Sequence, residues 1–255
     1  MPIGGRGGFA GAAVLNRPEG KSHRLTAISQ GANSLSVWAV LAAAGRGERL
    51  GGNRPKAFAK VHGRPLLAES LERLESSAWV DAIVIVAPPG WEEPSILIAE
   101  ELACTKVVAC SSGGETRTES VRAGLAEVGD DAAVIAVHDA ARPILPEEVL
   151  ERVLTALNEG WDGAVPALPL ADTIKRVQGG QIVETLPREE LFAAQTPQAF
   201  LAPVLREALA GDLAEATDCS ALVEARGGRV TTVPGDRRLL KVTNQADLEL
   251  VASFL

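Results

Sequence analysis

The sequence predicts an α/β protein, with a mostly parallel central sheet flanked by helices and a protruding β-hairpin arm. Three observations carry this. Short runs rich in Val, Ile and Ala lack polar alternation, as strands covered on both faces do. Between those runs lie apolar stripes at helical spacing, and repeated strand–helix alternation builds a parallel sheet with helices on both sides. One later segment breaks the alternation, with two extended stretches around a Gly-Gly turn.

The first strand is expected at Val37–Ala42, inside the longest apolar run, Ser36–Ala44. Gly45 ends that run well short of the roughly 18–20 residues a membrane span needs, so no membrane partner is expected. A helix follows where Leu67, Leu71 and Leu74 recur on one face. Further strands are expected at Ala82–Ala87, Lys106–Cys110 and Ala133–Val137. Pro146-Glu147-Glu148 opens the next helix, with proline tolerated early and acids at the positive end of the helix dipole; Val149, Leu150, Val153, Leu154 and Leu157 form its buried stripe. Asp172–Leu186 reads as the arm (about 172–187): Thr173–Val177, a turn over Gln178-Gly-Gly-Gln181, then Ile182–Leu186. A ribbon of two strands is marginal in water, so it needs a surface to pack on, and a second copy of the chain is the simplest one. Helices around Leu201–Leu209 and Asp218–Ala225, a strand at Arg229–Val233 and a last helix from about Asn244 complete the 35–255 domain. Residues 1–34 are Gly-rich and aperiodic; they read as a disordered N-terminal extension or an over-long start assignment, and they hold no apolar core of a secretion signal.

Charge narrows the function classes. The 255 residues carry 25 Lys+Arg against 33 Asp+Glu, a net charge of −8, which disfavours a protein that grips nucleic acid nonspecifically. Cys104, Cys110 and Cys219 include no CxxC pair and read as small core residues of a cytoplasmic chain.

The chemistry concentrates in four places. The first strand runs into Leu41-Ala-Ala-Ala-Gly45-Arg-Gly47-Glu-Arg49-Leu-Gly51-Gly52-Asn-Arg-Pro55-Lys56. Glycines let successive backbone N–H groups face an anion, and Arg49 and Lys56 add charge beside it, which suits a triphosphate. The Walker A pattern is absent, and the dinucleotide fingerprint fails because Leu50 stands where its third glycine belongs. Val137-His138-Asp139-Ala-Ala-Arg142-Pro143 closes another strand, where open α/β sheets bind ligands, and Asp139 is a hard-oxygen donor suited to Mg²⁺. His138, without a nucleophile nearby, reads as a hydrogen-bonding core residue. Gly113-Gly114-Glu115-Thr-Arg117-Thr-Glu-Ser120 opens a helix whose N–H groups and serine suit a nucleobase or phosphate. Thr173, Lys175, Arg176, Arg188, Thr196, Thr217 and Lys241 form a scattered polar set, each by itself a surface residue. There is no zinc spacing and no GxSxG elbow.

In combination, AAAGRGERLGGNRPKAF, GGETRTESVRAGL, VHDAARP, DTIKRV, TPQAF, Thr217-Asp218 and the Lys241-Val-Thr run resemble the 2-C-methyl-D-erythritol 4-phosphate cytidylyltransferase family, in unbroken order from Ser36 to Leu255. The resemblance implies a nucleotidyltransferase fold, a homodimer that swaps its hairpin arm, CTP as donor and Mg²⁺ as cofactor. Carried over by position, Arg49 and Lys56 stabilise charge at the α-phosphorus. Ala43, Ala44, Gly45 and Gly47 hold the triphosphate, and Gly114, Glu115 and Ser120 contact the cytidine. Asp139 faces the metal, Arg142 and Thr173 line the sugar-phosphate site, Arg188 and Lys241 orient the acceptor phosphate, and Thr196 and Thr217 support the substrate. The chain departs from the family pattern at Leu239-Leu240, at Cys219, where an acid is common, and at Gln245-Ala246. Other readings are a ribitol 5-phosphate cytidylyltransferase, a non-catalytic nucleotide-binding module and, against the failed fingerprint, an NAD-dependent oxidoreductase.

Overall fold

The computed structural model describes residues 36–45, 47, 50, 54–211 and 216–255. The expected extension at 1–34, the cation Arg49 and the glycines Gly51 and Gly52 lie outside the described residues.

Chain order sets up the sheet. Strand β1 (Ser36–Ala42) is followed by a 3-10 turn at Lys56–Phe58, a small hairpin of β2 (Lys60–Val61) and β3 (Arg64–Pro65), and helix α1 (Leu66–Ser76). Then come β4 (Ala82–Ala87), α2 (Glu92–Glu101), β5 (Val107–Ser112), α3 (Arg117–Ala126), β6 (Ala132–Asp139) and α4 (Glu147–Asn158). The second half contains β7 (Gly163–Pro169), β8 (Ile174–Gln178), β9 (Gln181–Leu186), β10 (Phe192–Ala194), β11 (Gln198–Leu201), α5 (Ala202–Ala208), α6 (Cys219–Ala225), β12 (Val230–Pro234) and α7 (Gln245–Ala252).

Strands β6, β1, β4 and β5 lie side by side, all parallel. Chain order therefore reverses between β1 and β6, and the crevice beyond the carboxyl ends of those strands is where open α/β sheets bind ligands. Beyond β6 the antiparallel β11 pairs with both β6 and β7, and β12 runs parallel to β7 on its far side. Because the sheet is covered on both faces, its strand side chains split by parity. Ala39, Leu41, Ile83 and Ile85 pack with Leu67, Leu71 and Leu74 of α1 and the stripe of α4. Val40, Val84 and Val86 pack with Val121 and Leu125 of α3, Leu205 of α5 and Val223 of α6. Gly124 seats α3 tightly, since a Cβ there would lie 2.4 Å from Val86 Cγ2 and 2.8 Å from Val40 Cγ1.

Two boundaries differ from the sequence expectation for one reason. β5 extends through Ser111-Ser112 and β6 through His138-Asp139, because parallel pairing to β4 and β1 continues past the last apolar residue. The arm is an antiparallel sheet of its own, β8 with β9. Gly179 and Gly180 both have positive φ (54° and 82°), as a two-residue hairpin turn of the favoured twist requires. Val177, Ile182 and Val183 on the arm are 53%, 59% and 47% exposed, whereas Val40, Val84 and Val86 in the middle of the main sheet are fully buried.

Candidate active site

Four strand ends converge on one cavity of about 800 Å³, a size suited to a nucleotide. Its lining includes Ala43, Ala44 and Gly45 after β1, Lys56 on the returning loop, Gly114, Glu115, Arg117 and Ser120 after β5, Asp139 at the end of β6, and Lys241.

Backbone contacts fix the loop after β1. Ala43 N–H donates to Val86 O at 2.9 Å, and Lys56 N–H donates back to Gly45 O at 3.2 Å. Gly47 has φ +75° and sits where a Cβ would lie 2.9 Å from the Lys56 nitrogen, so the closed loop demands glycine here. Phe58, in the 3-10 turn, packs on Trp91 with ring centroids 4.5 Å apart and planes tilted by 48°, which anchors the loop to the start of α2.

The turn before α3 is tied together by its own side chains. The N–H groups of Gly114, Glu115 and Thr116 already have partners within the segment. Glu119 Oε2 accepts from the N–H groups of Glu115 and Thr116, Ser120 Oγ accepts from Gly114 N–H, and Thr116 Oγ1 accepts from Glu119 N–H. Thr116 and Glu119 thereby form a capping box, which satisfies the N–H groups at the N-cap and at the third helical position. The segment lines the cavity with Gly114, Glu115, Arg117 and Ser120, of which Glu115 and Arg117 carry charge.

Asp139 is the electrostatic centre. Its Oδ1 lies 3.3 Å from Arg117 Nη2 and its Oδ2 lies 2.8 Å from Lys241 Nζ. Arg142 Nε stands 3.9 Å from Oδ2. Burial works to raise the carboxyl pKa, but the neighbouring charges of Arg117 and Lys241 outweigh it and hold the group well below the usual carboxylate range. Three cations around one carboxylate leave this end of the cavity positive in a chain of net charge −8, and such a pocket favours an anion.

The backbone of Asp139 is held from behind. Its N–H donates to Thr196 Oγ1 at 3.1 Å, so that hydroxyl donates in turn to His138 Nδ1, also at 3.1 Å. His138 Nε2–H then donates to Arg142 O at 3.0 Å. Burial pushes the His138 pKa down to about 4, which keeps the ring neutral and able to fill both roles.

The structure brings together Ala43, Ala44, Gly45, Lys56, Gly114, Glu115, Ser120, Asp139 and Lys241. Other expected residues lie elsewhere. Arg142 points away from the cavity, with Nη1 on Leu239 O at 2.6 Å and Nη2 on Ala194 O at 3.4 Å. Thr196 is buried beneath Asp139, and Thr217 is exposed beside α6. Thr173 and Arg188 are exposed near the foot of the arm, where Arg188 donates to Ala171 O. Arg117, Arg54 and Trp91 line the cavity without having been singled out. One signal for Arg117 existed: a cation in the first turn of a helix opposes the dipole and calls for an anionic partner.

The departures at Leu239 and Cys219 also find a place. The Leu239 side chain is fully buried in the core, and its carbonyl is the one that holds Arg142. Cys219 is buried at the start of α6 and its Sγ accepts from Arg117 Nη1 at 3.4 Å. Asp218, the N-cap of that helix, is gripped by Gln198 Nε2 at 2.8 Å.

A doubly wound sheet with a glycine-lined, cation-rich crevice at its switch point marks a protein of the nucleotide-binding α/β class. The family model for 2-C-methyl-D-erythritol 4-phosphate cytidylyltransferase matches residues 37–255. Among curated proteins of that name, the one from Frankia casuarinae is 44% identical over 237 residues, covering 92% of this chain and 85% of its own. The one from Saccharopolyspora erythraea is 44% identical over 227 residues, covering 87% and 100%. The crystal structure of the Thermus thermophilus protein superposes with a TM-score of 0.68 at 33% identity, covering 84% of this chain and 96% of that one. The chain belongs to the 2-C-methyl-D-erythritol 4-phosphate cytidylyltransferase family.

Proposed function

We infer that the protein transfers a cytidylyl group from CTP to 2-C-methyl-D-erythritol 4-phosphate, giving 4-diphosphocytidyl-2-C-methyl-D-erythritol and pyrophosphate in non-mevalonate isoprenoid biosynthesis. The observation that carries this reading beyond family membership is the pairing, within one cavity, of a glycine loop closed on Lys56 with the Asp139–Arg117–Lys241 cluster. The first suits a triphosphate and the second a further phosphate.

The acceptor phosphate is already ionised at neutral pH and needs no general base. Catalysis then reduces to holding two anions in line and offsetting their charge. Lys56 and Arg49 act on the donor side at the α-phosphorus, and Lys241 draws in the acceptor phosphate. Gly114, Glu115 and Ser120 border the base. With the N–H groups of that turn spent on capping, Glu115 offers an acceptor there, which suits the exocyclic amine of cytosine. Asp139 is the buried carboxylate of the cavity that would take one position on Mg²⁺, with nucleotide phosphates supplying the rest and offsetting the charge of Arg117 and Lys241 beside it. When bound, Mg²⁺ would neutralise phosphate charge.

The working unit proposed is a homodimer in the cytoplasm. The bare apolar side chains of the arm support a second copy packing on it, and Thr173 and Arg188, near its foot, would serve the acceptor side of the partner's cavity. All three cysteines are free, as suits a reducing compartment, and among the described residues no helix is long and apolar enough to cross a membrane.

The test is pyrophosphate release with CTP, UTP, ATP and GTP, each against methylerythritol phosphate and ribitol 5-phosphate in Mg²⁺. Release with CTP and methylerythritol phosphate alone is expected. Faster release with ribitol phosphate would reassign the acceptor, and no release with any pair would return the chain to a nucleotide-binding module.

A further inference from the structure

Arg142 presents an anomaly. Its guanidinium is buried, and its Nη1 and Nη2 are satisfied by carbonyls, yet its Nε–H has no hydrogen-bond partner. A buried donor left unpaired costs about 1–3 kcal/mol, so an orphan of this kind calls for a reason. Asp139 Oδ2 lies 3.9 Å from it, too far to bond. That same oxygen is held at 2.8 Å by Lys241 Nζ.

The two cations on Asp139 are not equivalent. Arg117 is three-quarters buried and braced at its other tip by Cys219 Sγ, so it is the fixed partner on Oδ1. Lys241 is 40% exposed at its side chain and stands on a flexible stem at the cavity wall. If the Lys241 ammonium moves to a phosphate, Oδ2 loses its charged donor inside a buried site. A waiting N–H one short shift away would offset that loss.

We propose that Asp139 Oδ2 is a donor-exchange point: Lys241 holds it in the empty enzyme, and the Arg142 Nε–H takes it over when Lys241 leaves for the acceptor phosphate. Arg142 is thereby a positioning residue that acts through Asp139, while Arg117 keeps the other oxygen fixed throughout. The exchange lets the enzyme store its acceptor-binding cation as an ion pair and release it without stranding a buried carboxylate. It rests on the reading of Lys241 as the acceptor-phosphate ligand, but its first half is independent of any substrate.

The Arg142 Nε–H can be followed directly by nitrogen-15 NMR of side-chain arginine signals, assigned by its absence in Arg142→Lys. Lys241→Met imitates departure of the ammonium, and a thermal melt checks that this variant is folded. In Lys241→Met without ligand, the Arg142 Nε–H should move downfield and exchange with water about tenfold more slowly, as a new charge-assisted hydrogen bond requires. Adding methylerythritol phosphate to the wild-type protein should produce the same change, and adding it to Lys241→Met should add nothing. An Arg142 signal that is unmoved in folded Lys241→Met overturns the exchange. A signal that moves in Lys241→Met but not with the acceptor leaves the exchange standing and removes the acceptor role given to Lys241.

Discussion

Replacing Gly113 by alanine tests whether the strand ends are packed to sub-ångström tolerance around the cavity. The added Cβ would lie 2.3 Å from the Ala44 Cβ, 3.0 Å from Ser120 Oγ and 3.3 Å from Ala87 O. Carbon atoms rest about 3.5–4.0 Å apart, so the loop after β1 must retreat by more than about 1 Å. Overpacking of this kind costs roughly 1–3 kcal/mol of stability. The larger effect falls on function, because Ala44 and Ser120 both line the cavity and a shift near 1 Å can cost on the order of a hundredfold in rate. Cytidylyl transfer, measured as kcat/KM for CTP by pyrophosphate release, should fall by about that factor, alongside urea denaturation for stability. Gly63→Ala is the control: its φ of +83° strains alanine by roughly 1–2 kcal/mol, but no atom lies within 4 Å of the new methyl and it is not part of the cavity lining. If Gly113→Ala loses stability yet keeps kcat/KM within about threefold of the wild type, the idea that this contact sets the cavity's shape is wrong.

Other perturbations probe separate parts of the site. Lys56→Ala should lower turnover by about 10²–10³ while changing the melting temperature little; equal losses of both would assign the lysine to the fold. Asp139→Asn leaves Arg117 and Lys241 without their carboxylate, and should cost roughly 2–4 kcal/mol in urea denaturation as well as activity; an unchanged midpoint would show that the cluster is already open to water. The pH dependence follows from His138, whose folded pKa of about 4 lies below the ordinary value near 6.5. The unfolded chain therefore binds more protons between those values, and stability present above about pH 6.5 is lost as pH falls towards 4, by about 3 kcal/mol in all. Denaturation in EDTA across this range should show that slope, and His138→Gln should flatten it; the same slope in both proteins would exclude His138 as its source.

Much of the frame was legible because burial on two faces leaves a simple trace. Val37–Ala42 and Ala82–Ala87 read as strands from continuous small and branched apolar residues, and the structure sets them in the middle of the sheet. β5 was read short because it is the edge strand, half exposed, and ends in two serines. Cavity residues attached to a strand end, such as Gly45 and Asp139, were legible from position alone. Direction was not. Nothing in Asp-Ala-Ala-Arg tells that Arg142 turns inward to the Leu239 and Ala194 carbonyls, 97 and 52 residues away. Nor can a glycine turn reveal that Glu119 and Ser120 have already claimed its N–H groups. Such facts belong to side-chain competition in three dimensions, which spacing does not record.

The reversal of chain order between β1 and β6 has an evolutionary corollary. One flank of the cavity hangs from the β1, β4 and β5 termini, whereas Lys241 reaches in from a distant C-terminal stretch, tied down by the Val242 N–H on Ala141 O. With the donor and acceptor roles proposed above, mutations on one flank would retailor the recipient alcohol phosphate while the other keeps reading the same pyrimidine. A scaffold split in this way can inherit one specificity and diversify the second.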